Sequence, residues 1–135
     1  MTYIHGKVMG TILIIDDDAA FSSFMANYIR ERFPLLQVEI CTDPLKSLKR
    51  IRDGGLDLLL VDLEMPNFDG AKIFRYATEA GVDKSRIVIL SGREAEYLHD
   101  HFPLGTCLAV LNKYEAKQKA VLHMIFSSLQ KKAAQ

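Results

Sequence analysis

The chain has 135 residues, the size of one ordinary domain and too short for two. Hydrophobic residues make up 49% and charged residues 25%, the balance of a globular chain rather than a disordered one. Seventeen Lys+Arg against seventeen Asp+Glu leave zero formal net charge, which argues against nucleic acid or a membrane surface as the main partner, since both need a basic excess.

Residues 1–10 are expected to form an N-terminal tail. The stretch 8–15 is apolar and follows Lys7, but three aspartates come next without the cleavage pattern of a signal peptide, so a cytoplasmic chain is expected. The first strand is predicted at Thr11–Ile15. Phe21, Phe24, Met25, Tyr28 and Ile29 then fall on one face of a helix, with Asp18 as its N-cap and Pro34 at its exit. A second strand follows at 38–41. Leu45, Leu48 and Ile51 mark a second helix, closed by Gly54 and Gly55. The third strand is predicted at 56–61, and its helix carries Ile73, Phe74 and Ala77 and ends at Gly81. The fourth strand, 87–90, precedes a short helix with Tyr97 and Leu98 before Pro103. The fifth, 107–111, leads to a last helix carrying Val121, Leu122, Ile125, Phe126 and Leu129, and then to a C-terminal tail at 131–135.

These strands are apolar on consecutive positions rather than alternating, as strands covered on both faces are. Strand and helix repeated five times over residues 11–130 make an α/β fold, a doubly wound parallel sheet. The longest apolar runs are four or five residues, whereas a membrane-spanning helix needs roughly 20. Cys41 and Cys107 lie in apolar stretches and read as buried thiols, and the four scattered histidines show no zinc spacing.

In such a sheet, ligands sit at the carboxyl ends of the strands. Asp16, Asp17 and Asp18 follow the first strand, Asp62 the third and Ser91 the fourth, while the fifth runs into Asn112 and Lys113. Asp18 fits a helix cap. Asp16 and Asp17 face another strand-end carboxylate, and crowded carboxylates repel unless a cation sits among them. Hard oxygen ligands at one point suit Mg²⁺ rather than zinc.

The segment Leu58 to Gly70, with Asp16-Asp17, Ser91-Gly92 and Lys113, resembles the receiver domain of two-component response regulators. The spacings of 46, 29 and 22 residues between Asp16, Asp62, Ser91 and Lys113 are close to those usual in that family. The resemblance implies a flavodoxin-like five-stranded sheet of order 2-1-3-4-5. It also implies that Asp62 is the phosphoacceptor, attacking a phosphohistidine of a sensor histidine kinase or phosphotransfer protein. Mg²⁺ would be held by Asp17, Asp62 and the backbone carbonyl of Glu64, with Asp16 acting largely through water. Ser91 and Lys113 would bind phosphoryl oxygens. The domain would be a switch without turnover on an external substrate. It would engage an unidentified output partner or output domain, with a homodimer left open.

Three positions depart from the family pattern. Tyr114 stands where proline commonly follows the lysine, often through a cis bond. Val110 stands where an aromatic ring usually moves on activation. Glu64 and Arg93 flank the phosphoryl site, either as an ion pair that tunes phosphoryl lifetime or as solvated charges. Three other readings compete. An aspartyl-phosphate Mg²⁺-dependent phosphohydrolase generally needs Asp where Glu64 stands, and a cap domain. A flavin carrier needs a hydroxyl- and glycine-rich loop after the first strand. A receiver-fold interaction module without phosphorylation would not need the acceptor, acids and lysine.

Overall fold

The computed structural model describes residues 10–135, together with the backbone of Tyr3–Ile4 and Lys7–Val8, which pair antiparallel. The expected tail over 1–10 otherwise lies outside the described residues. Five strands alternate with five helices: β1 (Thr11–Ile15), α1 (Ala19–Arg32), β2 (Gln37–Cys41), α2 (Pro44–Asp53), β3 (Leu58–Asp62), α3 (Gly70–Glu79), β4 (Ile87–Ser91), α4 (Ala95–His101), β5 (Ala109–Asn112) and α5 (Ala116–Ala133). The strands form one parallel sheet in the order β2-β1-β3-β4-β5, so the expected topology holds.

Every residue of β1, β3 and β4 is buried, which is why they read as unbroken apolar runs. Successive side chains point to opposite faces. Ile12, Ile14, Leu58, Leu60, Val88 and Leu90 pack against Met25, Ala26 and Ile29 of α1 and Leu122 and Phe126 of α5. Leu13, Ile15, Leu59, Val61 and Ile87 pack on the other side against Ile51 of α2 and Ile73 and Ala77 of α3. Each fully buried aliphatic side chain stabilises the fold by about 1.5–3 kcal/mol. These two layers therefore hold the strand ends rigidly in register.

The helix faces differ from expectation. In α1 the buried positions are Ser22, Met25, Ala26 and Ile29, while Phe24 is 55% exposed. Small residues let the helix approach the sheet, and the bulkier ring turns out beneath Lys119, whose Nζ lies 5.3 Å from its centre. In α2, Ser47 and Ile51 are buried and Leu45 is exposed for the same reason.

Two strands begin later than expected. β3 starts at Leu58, and just before it the Asp57 carboxylate accepts from the N–H groups of Gly10 and Thr11, both at 2.9 Å, and fastens the entry to β1. β5 starts at Ala109, after Leu108 N has donated to the carbonyls of Lys84 and Ile87. At the other end α5 runs to the buried Ala133, past the boundary expected at 130. The two cysteines are free and half-buried rather than fully buried. Among the described residues no helix is long and apolar enough to cross a membrane. None of their peptide bonds is cis, so Lys113–Tyr114 is trans, consistent with the roughly 3 kcal/mol that a non-proline cis bond costs.

Candidate functional site

Parallel register carries the predicted site residues to one rim. Asp62 is the last residue of β3 and lies opposite Leu90 of β4, while Ser91 lies opposite Asn112 of β5. Lys113 N donates to the Ser91 carbonyl at 2.8 Å, which seats the lysine just beyond the sheet. Asp16 follows β1 and is tied to β2 through its N–H, 3.2 Å from the Cys41 carbonyl.

Asp16 is fully buried, Asp62 is 3% exposed and Asp17 is exposed. One carboxylate oxygen from each lies within 4.8 Å of the others. Asp16 Oδ1 accepts from Asp18 N at 2.9 Å. Asp18 in turn caps α1, accepting from Phe21 N at 3.0 Å. Lys113 Nζ lies 2.7 Å from Asp16 Oδ2 and 3.9 Å from Asp62 Oδ2. It also sits 4.4 Å from the centre of the Phe21 ring. The buried Oδ2 thus meets the ammonium directly, and no other donor reaches it.

Burial, reinforced by the negative charge of Asp16 and opposed by Lys113, pushes the Asp62 carboxyl up to about 7. Burial works against the Lys113 ammonium, but Asp16 and Asp62 outweigh it and hold the lysine above its usual value. Three carboxylates against one ammonium leave an excess of negative charge, and Asp16 Oδ2 has spare lone-pair capacity. That donor set fits a small, hard divalent cation coordinated by oxygen.

The loop after Asp62 is equally constrained. Glu64–Met65 pair antiparallel with Phe68–Asp69, and Asn67 between them takes φ 62°. Asp69 caps α3 by accepting from Ala71 N at 2.9 Å. Gly70 N donates to the Leu63 carbonyl at 3.0 Å, pressing the start of α3 against the end of β3.

Glu64 and Arg93 do not pair with each other. The Glu64 carboxylate accepts from Ser91 Oγ, at 2.9 and 2.7 Å to its two oxygens, and from Gly92 N at 2.8 Å. Arg93 instead lies over the Tyr97 ring at 4.0 Å, and Tyr97 stacks on His101 with ring centres 3.9 Å apart. The ion pair, one of the two expectations for Glu64, is thus not formed; the side chain is exposed, as the other expectation has it, yet two hydrogen-bond donors on the β4 turn hold it. Ser91 Oγ also accepts from Arg93 N at 3.0 Å. Asn112 Nδ2 donates to the Arg93 carbonyl at 2.8 Å, and Asn112 Oδ1 accepts from Tyr114 N at 2.7 Å. Val110 is half-buried against the Leu63, Ile89 and Leu98 cluster.

Sequence reasoning brought Asp16, Asp17, Asp62, Ser91 and Lys113 to one place, as the structure does. It missed the bridging of Asn112, the packing of Phe21 on Lys113 and the capture of Glu64. Only the position of Asn112 at a strand end gave a signal.

The model of the response regulator receiver domain family matches residues 12–124. A protein-glutamate methylesterase/protein-glutamine glutaminase 2 from Koribacter versatilis (strain Ellin345) is 24% identical over 91 residues, covering 67% of this chain and 24% of that protein. The chain thus spans about a quarter of that relative's length. Among solved structures, a CheY-like receiver domain protein from Methanospirillum hungatei JF-1 superposes with TM-score 0.70 at 24% identity, covering 92% of this chain and 98% of the other. The response regulator TrrA from Thermotoga maritima, solved in complex with Mg²⁺-BeF, gives TM-score 0.71 at 16% identity, covering 87% and 97%. With the fold, the topology and the family model over most of its length in agreement, the chain belongs to the response regulator receiver domain family.

Proposed function

We propose that this receiver domain is a phosphoryl-accepting switch with Asp62 as its acceptor. Accepting a phosphoryl group is general to the family. The observation that supports the assignment here is Asp62 at the end of β3, grouped with Asp16 and Asp17 and 3.9 Å from Lys113. In the proposed reaction a carboxylate oxygen of Asp62 forms a bond to phosphorus as the bond from phosphorus to an imidazole nitrogen of a phosphohistidine breaks. The donor imidazole leaves and takes up a proton. Water later cleaves the acyl phosphate, returning the carboxylate and inorganic phosphate.

Asp16, Asp17, Asp62 and the Glu64 carbonyl would hold Mg²⁺, which supplies neutralisation of the developing phosphoryl charge when bound. The likeness to TrrA, solved with that ion, supports this choice of cation. Lys113 would pair with a phosphoryl oxygen and Ser91 would donate its hydroxyl to another. The donor would be a sensor histidine kinase or phosphotransfer protein, and the domain would turn over only its own phosphoryl group.

Intact-protein mass spectrometry after incubation with acetyl phosphate and Mg²⁺ tests this reading. One phosphoryl adduct is expected, lost in Asp62→Asn and lost on chelation. An adduct of equal yield in Asp62→Asn would overturn the assignment.

A further inference from the structure

Two donors on the turn after β4, Ser91 Oγ and Gly92 N, converge on one anionic group at 2.7–2.9 Å. Donors arranged this way make an anion subsite, and the anion in it is the chain's own Glu64 carboxylate. A serine hydroxyl carries a single proton and serves one acceptor at full strength. The reading above gives that proton to a phosphoryl oxygen on Asp62. Both uses cannot hold together.

Resting on that reading, we propose that Glu64 is a resident competitor for the phosphoryl subsite, which must be displaced before a phosphoryl group on Asp62 can engage Ser91. The tether is short, since Glu64 N donates to Asp62 Oδ1 at 3.3 Å. A phosphoryl group on Asp62 that reaches for Ser91 Oγ brings its negative charge up to the carboxylate already bonded there, and like charges brought together repel. Displacement is therefore driven by the modification itself.

The exchange accounts for an otherwise odd combination. Ser91 is already committed to an anion before phosphorylation, so phosphorylation substitutes one anion for another rather than drawing the hydroxyl into an empty site. An aromatic ring following the serine inward would have little movement to follow, and Val110 stands at that position. What must move is the exposed Glu64 side chain, while its backbone stays paired with Asp69.

The test compares phosphorylation by acetyl phosphate and Mg²⁺ in the wild type, Glu64→Gln and Glu64→Ala. Glu64→Ala should react at least tenfold faster, and Glu64→Gln, which keeps an acceptor for Ser91 without the charge, should fall between. In a Ser91→Ala background the gain from Glu64→Ala should shrink to no more than the gain that Glu64→Gln shows, because the contested hydroxyl is gone and only the charge repulsion remains. The Gly92 amide proton should shift upfield in unphosphorylated Glu64→Ala, a readout that needs no phosphoryl transfer. Equal rates in all three proteins would overturn the competitor role alone, as would a full tenfold gain that persists without Ser91. No adduct in any of the proteins would overturn the phosphoacceptor reading, and this inference with it.

Discussion

Replacing Gly70 with alanine isolates how the start of α3 positions the acceptor. A Cβ at this residue would lie 2.7 Å from Leu63 Cα, 3.0 Å from the Asp62 carbonyl carbon, and closer still to the Asp62 carbonyl oxygen. Carbon atoms pack comfortably at about 3.5–4.0 Å, so the overlap is about 1 Å. All three neighbours are backbone, so no rotamer change relieves it. Helix propensity alone would make the substitution favourable by up to about 1 kcal/mol. Gly70 does not occupy the left-handed region that would oppose alanine on backbone grounds. The sign of the effect therefore separates close approach from propensity. Overpacking of this kind costs about 1–3 kcal/mol, and after the propensity gain a net loss of about 1 kcal/mol is expected. The urea midpoint should fall with the slope unchanged. Relief of the overlap must also displace the Asp62 peptide, and a misplacement of about 1 Å at a reacting group can cost about 100-fold in rate. Phosphorylation by acetyl phosphate, followed by mass spectrometry, should slow accordingly. A midpoint at or above that of the wild type would refute the packing argument. A lowered midpoint with an unchanged rate would show that this contact does not position Asp62.

Asp57→Ala should destabilise the domain by about 3 kcal/mol, read by urea unfolding, because it leaves the buried N–H groups of Gly10 and Thr11 without their shared acceptor. The pH dependence of the metal-free protein has a definite sign. Asp62 holds its proton up to about 7 when folded, against 3.8 ordinarily, so the folded state binds more protons between those values and stability falls as pH rises through that window. The ceiling on this loss is on the order of 4 kcal/mol, and Mg²⁺ added at pH 8 should recover it in a thermal melt. A flat profile between pH 4 and 7 in the absence of metal would contradict an acid at this position whose burial and Asp16 neighbour outweigh Lys113.

The parts of the fold and site legible in the sequence are those written in continuous or strictly placed residues. β1, β3 and β4 are covered on both faces, so their apolar runs announced the parallel sheet, and the polar residue ending each run announced the rim. Helix faces were less legible. Periodicity weights bulky apolar residues, so Phe24 and Leu45 looked like core, whereas close packing on the sheet selected Ser22, Ala26 and Ser47. The role of Asp57 was hidden because its carboxylate holds the N–H groups at the entry to β1, a contact that reaches across 47 residues to Gly10 and that no local pattern encodes. The fate of Glu64 was illegible for a related reason. Its partner is chosen by which donors the β4 turn exposes, and charge complementarity alone pointed to Arg93.

Hydrogen bonds and stacked side chains also link the site to the outer surface. Ser91 Oγ accepts from Arg93 N, the Arg93 carbonyl accepts from Asn112, and Asn112 accepts from Tyr114 N, so consecutive hydrogen bonds join the β4 turn to the residue after Lys113. The Arg93 side chain meanwhile lies on Tyr97, which stacks on His101 along α4. A change in how strongly Ser91 is held would thus be felt at the Arg93 backbone, where it divides between α4 through stacked side chains and the start of α5 through Asn112. Neither branch needs a large ring to swing through the core. The trans Lys113–Tyr114 bond suits this arrangement, because Tyr114 keeps an N–H where a proline would have none, and that N–H is the last donor in the chain. With Tyr114 in place of the usual proline and Val110 in place of the usual ring, the connection between the β4 turn and the segment after β5 is built of hydrogen bonds between side chains and backbone, and none of them depends on the rotation of a ring.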